Sequence, residues 1–179
     1  MINGSTTDIA VRDLQVVSKD ETGILKQGEE DKQKCYVAVC WSHTGITDEQ
    51  IAELAAIKDL TLQQKTPIRV LHRRPLATRE RTVYNLSARL INDDDRHHFL
   101  LFLKTQAGTY IKEFVHGDFG RTIPSLGTLL KTDCDILQLD VLSVELDWPP
   151  SLDRSVAASV PAATSETNDC PSCEKEHIQ

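Results

Sequence analysis

Two stretches of two-residue alternation limit most strongly the folds open to this chain. Residues 34–41 alternate in the two-residue pattern of a strand, with Cys35, Val37, Val39 and Trp41 on one face and Tyr36, Ala38 and Cys40 on the other. Residues 81–91 alternate again, 92–96 is rich in turn-forming residues, and 98–105 returns as a second apolar segment. Alternation of period two is typical of β-strands, and two such strands around a short polar turn predict a hairpin. An antiparallel sheet is therefore the predicted frame of the fold.

Helices are predicted at two places. Thr47-Asp-Glu-Gln50 is a capping-box pattern, so a helix should begin near Asp48. Gly108 permits a tight turn after the hairpin, and it precedes a stretch in which apolar residues recur at helical spacing. These residues are Ile111, Phe114 and Val115.

Three further strands complete the predicted architecture. They cover residues 11–18, 60–64 and 137–148, and the alternation in the last one changes phase between Val141 and Leu142. A change of phase within a strand indicates a β-bulge. The fold class is therefore α+β, a mainly antiparallel mixed sheet with a few helices.

Composition divides the chain into three parts. Residues 1–10 are polar and predict a flexible N-terminus, 11–150 form one domain, and 151–179 predict a disordered acidic tail rich in Ser, Ala, Pro and Thr. No apolar run is long enough for a membrane span, and the first ten residues lack a signal-peptide pattern. The chain is therefore expected to be intracellular, in the nucleus, the cytoplasm or both, without a membrane partner.

The five cysteines predict reduced thiols rather than disulfides or a metal site. Cys35, Cys40 and Cys134 lie in apolar, strand-like segments, where buried free thiols are common. Cys170 and Cys173 have the spacing of half a zinc site, but structural zinc needs four ligands. The sequence predicts no bound metal.

A basic segment stands out in a chain with a net charge of −7. Residues 65–81 hold six Lys or Arg residues against one Glu, a local charge of +5, and Pro67 and Pro75 are expected to keep this segment extended. Clustered arginines on a stiff loop suit phosphate contact, although a solvated charged loop would show the same composition. The RNA-binding candidates in and beyond it are Lys65, Arg69, His72, Arg73, Arg74, Arg79, Arg81 and Arg121.

Three motifs resemble one enzyme family. Residues 65–75 are KTPIRVLHRRP, 104–121 are KTQAGTYIKEFVHGDFGR, and 134–141 are CDILQLDV, with DWPP at 147–150. These motifs resemble the C-terminal catalytic half of the tenth eukaryotic class of pseudouridine synthase, which acts on the T-arm of tRNA in archaea and eukaryotes. The resemblance covers residues 11–152 and implies isomerisation of T-arm uridines, tRNA as partner, no DNA, no metal or organic cofactor, and a monomer.

The resemblance also implies roles for individual residues. Lys34-Cys-Tyr36 resembles the motif whose tyrosine stacks on the flipped base and takes part in proton removal, although a core tyrosine would occupy the same place. Lys112, in Gly108-Thr-Tyr-Ile-Lys112, occupies the place of the cation that keeps the catalytic aspartate ionised. Leu126 matches the leucine beneath the active site, with Leu129 as the alternative.

The family's nucleophilic aspartate has no counterpart in this sequence. Its Gly-Arg-Glu-Asp motif precedes the tyrosine strand, and no such segment occurs here. The chain is therefore expected to be an inactive fragment of a tRNA pseudouridine synthase, and Lys112 to be more exposed than in the complete enzyme. The competing hypotheses are a non-catalytic RNA-binding or protein-interaction fragment, and a chain that does not fold alone.

Overall fold

The computed structural model describes residues 2–6, 11, 14–23 and 32–146. The described residues divide into two compact units, one of residues 2–6, 11, 14–23 and 146 and the other of residues 32–145. In the first unit, Ile2–Gly4 forms a 3₁₀ turn. The predicted acidic tail, the DWPP motif and the Cys170 and Cys173 pair lie outside the described residues.

The predicted strand at residues 11–18 is not borne out. Residues 14–18 have no regular secondary structure, and the side chains of Leu14 and Val16 are exposed to solvent. An alternating segment becomes a strand only where one of its faces can be buried against a neighbour. These two apolar side chains have no such cover.

The second unit is built on one six-stranded sheet whose neighbouring strands all run antiparallel. The strand order is β5-β2-β3-β4-β1-β6. The strands are β1 (Lys34–Ser42), β2 (Lys58–Lys65), β3 (Thr78–Asn92), β4 (Asp95–Thr105), β5 (Thr122–Ile123) and β6 (Cys134–Val144). The predicted hairpin is β3–β4, and the α+β class with a mainly antiparallel sheet is confirmed.

Three short helices accompany the sheet. They are α1 (Asp48–Ala56), α2 (Ile111–His116) and α3 (Leu126–Leu130). The predicted capping box at α1 is present. The backbone N–H of Gln50 donates to the Thr47 hydroxyl at 3.2 Å, and the backbone N–H of Thr47 donates to the side-chain Oε1 of Gln50 at 2.9 Å. Helix α1 packs against β3, and α2 packs against β6.

Bulges adjust which side chains reach the core. Cys35 pairs with Ser143 and Tyr36 with Val141, which leaves Leu142 as the extra residue and confirms the predicted change of phase in the last strand. Another bulge lies at Tyr84, which has no partner in β4 because Val83 pairs with Thr105 and Asn85 with Lys104. The alternation had placed Tyr84 in phase with Leu86. The bulge turns Val83 into the core instead.

One face of the sheet forms the hydrophobic core, and the helices cover it. The core includes Cys40 from β1, Phe99 from β4, Leu54 from α1, Phe114 from α2 and Leu126 from α3. The thiols of Cys35, Cys40 and Cys134 are free and buried, as predicted. No helix in the described part of the chain is long and apolar enough to cross a membrane.

Candidate functional site

Strand β1 presents Tyr36 on the core face of the sheet. The ring is half-buried and packs against the core, and its cross-strand neighbours are Leu103 on β4 and Val141 on β6. Burial raises the pKa of the Tyr36 phenol, because the charged phenolate would lose part of its hydration. Tyr36 therefore offers a partly exposed ring that rests on the core and a phenol that stays protonated at neutral pH.

A glycine turn leads from β4 to the helix that carries Lys112. Gly108 has φ +75°, the left-handed conformation expected from the sequence. The turn is held by buried Gln64, whose amide accepts from the Tyr110 N–H at 2.9 Å and donates to the Tyr110 carbonyl at 3.0 Å. Helix α2 then begins at Ile111. A buried side chain of β2 thus fixes where this helix begins.

Lys112 lies on the solvent side of α2. Its side chain is exposed, and it forms no ion pair with any described residue. The buried face of α2 includes Ile111, Phe114 and Val115, which leaves Lys112 on the solvent side. Whether this lysine is more exposed here than in a complete enzyme stays a prediction.

The buried charge of α2 is Glu113, which the sequence analysis did not single out. Its side chain is 3% exposed, and its carboxylate binds the Arg69 guanidinium, with Nε to Oε1 at 2.6 Å and Nη2 to Oε2 at 3.5 Å. Arg69 also lies over the Tyr110 ring, 5.9 Å from its centroid. The Glu113 hydrogen bond raises the pKa of Arg69. The two residues stand 44 positions apart, so no local pattern could reveal the pair.

Leu126 opens α3 and is completely buried in the core against which Tyr36 packs. Ser125 caps this helix, and its hydroxyl accepts from the Thr128 N–H at 3.2 Å. Leu129, the alternative candidate, is half-buried at the margin of the same core. Tyr36 and Leu126 are thus brought to one side of the sheet.

The basic segment contains the connection between β2 and β3, here called the basic loop (residues 66–77). It is not extended between its prolines: Ile68–Val70 forms a 3₁₀ turn, and the N–H groups of Arg73 and Arg74 both donate to the Val70 carbonyl at 3.0 Å. Val70 is buried, so the loop folds back onto the domain. Pro67 and Pro75 fix φ only locally, and the buried valine decides the path.

The Lys, Arg and His side chains of the basic segment fall into two groups. Four are exposed and form no hydrogen bond or ion pair with the described residues: Lys65, His72, Arg73 and Arg74. The others have partners in the protein. Arg79 donates to the Thr66 hydroxyl at 3.2 Å, and Arg81 donates to the Glu80 carbonyl at 2.7 Å. The first group is free to meet a ligand.

A left-handed turn, residues 117–120, ties the end of α2 to the basic loop. The Asp118 carboxylate accepts from the Ile68 N–H at 3.1 Å and pairs with Arg121 Nε at 3.6 Å. Arg121 also donates to the Thr66 carbonyl from Nε at 3.2 Å and from Nη2 at 2.7 Å. Asp118 and Arg121 therefore form an ion pair that anchors the loop. Contact of Arg121 with RNA stays a prediction.

Three other histidines, His97, His98 and His116, contact groups close to them in the fold. His116 Nδ1 accepts from the Asp118 backbone N–H at 3.0 Å, so the His116-Gly-Asp118 sequence does not join two side chains into a catalytic pair. His98 contacts Asp95 at 2.7 Å, and His97 contacts the Ser42 carbonyl at 2.9 Å. Within the described residues, no cluster of three His, Cys, Asp or Glu side chains could hold a metal.

Comparison with known proteins places these features in one family. Residues 1–145 match the family described as Pus10, C-terminal. The chain belongs to this family. Among curated members, it is 55% identical to the tRNA pseudouridine synthase Pus10 of Xenopus laevis over 150 residues, which are 83% of this chain and 28% of that protein. It is likewise 55% identical to the Homo sapiens protein of that name over 152 residues, which are 85% and 28% of the two chains.

More distant Pus10 members match the same region. The tRNA pseudouridine synthase Pus10 of Thermofilum pendens is 38% identical over 139 residues, 77% of this chain and 30% of that protein. This chain thus spans less than a third of these three relatives. A chain in a crystal structure of a Cbf5–Nop10–Gar1 complex shares the fold, with a TM-score of 0.51 and 24% identity over 69% of this chain and 33% of that one.

Proposed function

We propose that this chain is the part of a tRNA pseudouridine synthase that receives the target uridine, in an enzyme acting on T-arm uridine 55 and the adjacent uridine 54. The observation that carries the proposal is the joint position of Tyr36 and Leu126 on the core face of the sheet, within a Pus10 C-terminal domain. A partly exposed aromatic ring can stack on an extruded base. Its phenol, protonated at neutral pH, can also exchange a proton with that base.

Lys112 is proposed to act on a group that lies outside the described residues. Its exposed ammonium can pair with a catalytic aspartate and keep that carboxylate ionised, and therefore nucleophilic. No Gly-Arg-Glu-Asp segment occurs among the 179 residues. We therefore propose that the chain by itself binds tRNA without isomerising it.

Binding of tRNA is assigned to the exposed side chains of Lys65, His72, Arg73 and Arg74, with Arg79 and Arg81 beside them. Their charge is concentrated in a chain that is acidic overall, so the attraction to phosphate is local. Arg69 and Arg121 stabilise the basic loop, since Arg69 binds the Glu113 carboxylate and Arg121 donates to the Thr66 carbonyl. A monomer without a cofactor is sufficient for this function.

The first test measures pseudouridine in an unmodified tRNA transcript after incubation with the purified 179-residue chain. Binding without pseudouridine at either T-arm position is the expected result. Product at a T-arm uridine would show that another acid replaces the aspartate and would contradict the proposed inactivity. A folded chain that fails to bind tRNA would contradict the proposed RNA contact.

The second test examines the site residues in an active context. The chain replaces the matching segment of the 55% identical Xenopus laevis relative, and pseudouridine formation is measured in single turnovers. Tyr36→Phe should slow the chemical step strongly, whereas Tyr84→Phe, which alters a half-buried tyrosine on β3, should not. Lys112→Met should also slow it, with the exposed Lys58→Met as its control. Equal rates for the paired variants would contradict the assigned roles.

A non-catalytic RNA-binding fragment is the second candidate function. The exposed guanidinium groups of Arg73 and Arg74 form no ion pair with any described residue, and they favour this function because they need no catalytic partner to bind phosphate. Inactivity of the chimaeric enzyme, together with tRNA binding by the free chain, would favour this alternative.

A further inference from the structure

Phe119 is an aromatic side chain that the fold leaves in solvent. It is 95% exposed, whereas Phe99 and Phe114 are completely buried. Exposing a whole phenyl ring forfeits the hydrophobic stabilisation that burying it would give. Its position is therefore unexplained by the stability of the domain.

The backbone holds this ring outward in a conformation that residues other than glycine seldom adopt. Gly117, Asp118, Phe119 and Gly120 all have positive φ, of 78°, 46°, 55° and 80°. Glycine tolerates this region, but a phenylalanine there is strained. Strained backbone persists only where surrounding contacts impose it, and it occurs often at binding sites.

Contacts with the basic loop impose the conformation. Asp118 is buried, its carboxylate accepts from the Ile68 N–H at 3.1 Å, and its own N–H donates to His116 Nδ1 at 3.0 Å. Arg121 closes the turn from the other side through the Thr66 carbonyl, at 2.7 Å from Nη2. The turn that projects Phe119 is thus hydrogen-bonded to the first residues of the basic loop.

We infer that Phe119 stacks on an unpaired base of the RNA whose phosphates meet the basic loop. Proteins that hold single-stranded RNA combine a cationic track with aromatic rings that stack on successive bases. Here the exposed ring and the exposed Arg73 and Arg74 are carried by two segments that are joined through Asp118. The inference rests on the proposed RNA contact and adds a base-stacking residue to it.

The test measures the affinity of the full 179-residue chain for a T-arm stem-loop RNA and for a fully paired duplex of equal length, at several salt concentrations. Phe119→Ala should weaken stem-loop binding roughly 5- to 150-fold, the range expected for loss of one stacked base, without changing the salt dependence. It should leave duplex binding unchanged, because the bases of a duplex are already stacked. Phe119→Trp should retain the affinity.

Two controls separate stacking from folding and from charge. Phe119→Gly should raise the midpoint of thermal unfolding, since glycine tolerates φ +55°, and yet weaken stem-loop binding. Leu137→Ala removes a similarly exposed apolar side chain on β6, at the opposite edge of the sheet from β5, and should leave affinity unchanged.

The outcomes distinguish the two proposals. Arg73→Gln with Arg74→Gln should weaken both RNAs and reduce the salt slope by about 0.7 per lost phosphate contact on a single strand. If this pair weakens binding while Phe119→Ala binds like the unaltered chain, the RNA contact stands and stacking is overturned. If the unaltered folded chain binds neither RNA, both proposals fail. Equal weakening of stem-loop and duplex by Phe119→Ala would also overturn stacking.

Discussion

Replacing Arg69 by Met should destabilise the domain chiefly by leaving a buried carboxylate without its partner. Methionine keeps an apolar side chain of similar length but removes the guanidinium that binds Glu113. Glu113 is 3% exposed, so solvent does not reach its carboxylate in the native fold. The cost therefore arises from an ionised group that stays buried after its cation has gone.

The size of the effect follows from the exposure of both partners. Removing one member of a fully buried pair costs about 3–5 kcal/mol. Arg69 is 53% exposed, so water can enter its place and hydrate part of the carboxylate, and the cost should fall to about 2–3 kcal/mol, the scale of a charge-assisted hydrogen bond. Loss of the contact with the Tyr110 ring adds about 0.5–1 kcal/mol. We expect a total of about 3 kcal/mol.

Urea unfolding of four proteins tests this reasoning: the unaltered chain, Arg69→Met, Glu113→Gln and the double variant. The double variant should be more stable than Arg69→Met alone, because the amide that replaces the Glu113 carboxylate would be buried without a charge. The coupling free energy from this cycle should exceed about 1 kcal/mol, as contacting residues show. A double variant no more stable than Arg69→Met would refute the buried-charge explanation. A loss of stability below about 0.5 kcal/mol in Arg69→Met would also refute it, because independent sites deviate from additivity by about that amount.

Three further predictions concern the core, the first helix and the thiols. Leu126→Ala should cost about 2–5 kcal/mol in urea unfolding, and Leu129→Ala clearly less, because only Leu126 is completely buried. Thr47→Ala should cost about 1 kcal/mol through loss of the cap of α1, with a Glu53→Ala control near zero. Burial raises the pKa of Cys40 from its ordinary value of 9.0 to about 12. The unfolded chain then releases this proton at lower pH than the folded chain, so stability is complete below a pH of 9.0 and declines as the pH rises toward about 12. Cys40→Ala should show a shallower decline, and an unchanged slope would contradict this origin.

The hairpin, the first helix and the bulge near Leu142 were open to prediction because each follows from local pattern. Alternation over about ten residues is typical of a strand, and a Thr three residues before a Gln can satisfy two N–H groups at the start of a helix. The expectation that Tyr36 and Leu126 share a site came from motif resemblance. Both residues contact the core on one face of the sheet, and their shared site and their chemical roles remain proposals.

The segment at 11–18 shows where local pattern is insufficient. It is predicted as a short strand, but Leu14 and Val16 are exposed, and the described residues 14–18 form no strand. In the basic loop, too, the local pattern was insufficient, but there the chain folds back where an extended path was predicted. Two prolines favour an extended path, yet the burial of Val70 folds the loop inward. In both places burial decided the outcome, and burial depends on neighbours distant in the sequence.

By itself, then, the sequence determined the β3–β4 hairpin, the α+β class, the cap of α1 and the concentration of positive charge at residues 65–81. Tertiary structure alone decided that Glu113 rather than Lys112 is the buried charge of α2, and that Arg69 is its partner. It also decided that Asp118 reaches across to Ile68 and holds Phe119 outward. Patterns of period two or about 3.6 encode which face of one element is apolar. They carry no information about which distant side chain will meet a buried polar group, and these contacts shape the proposed RNA surface.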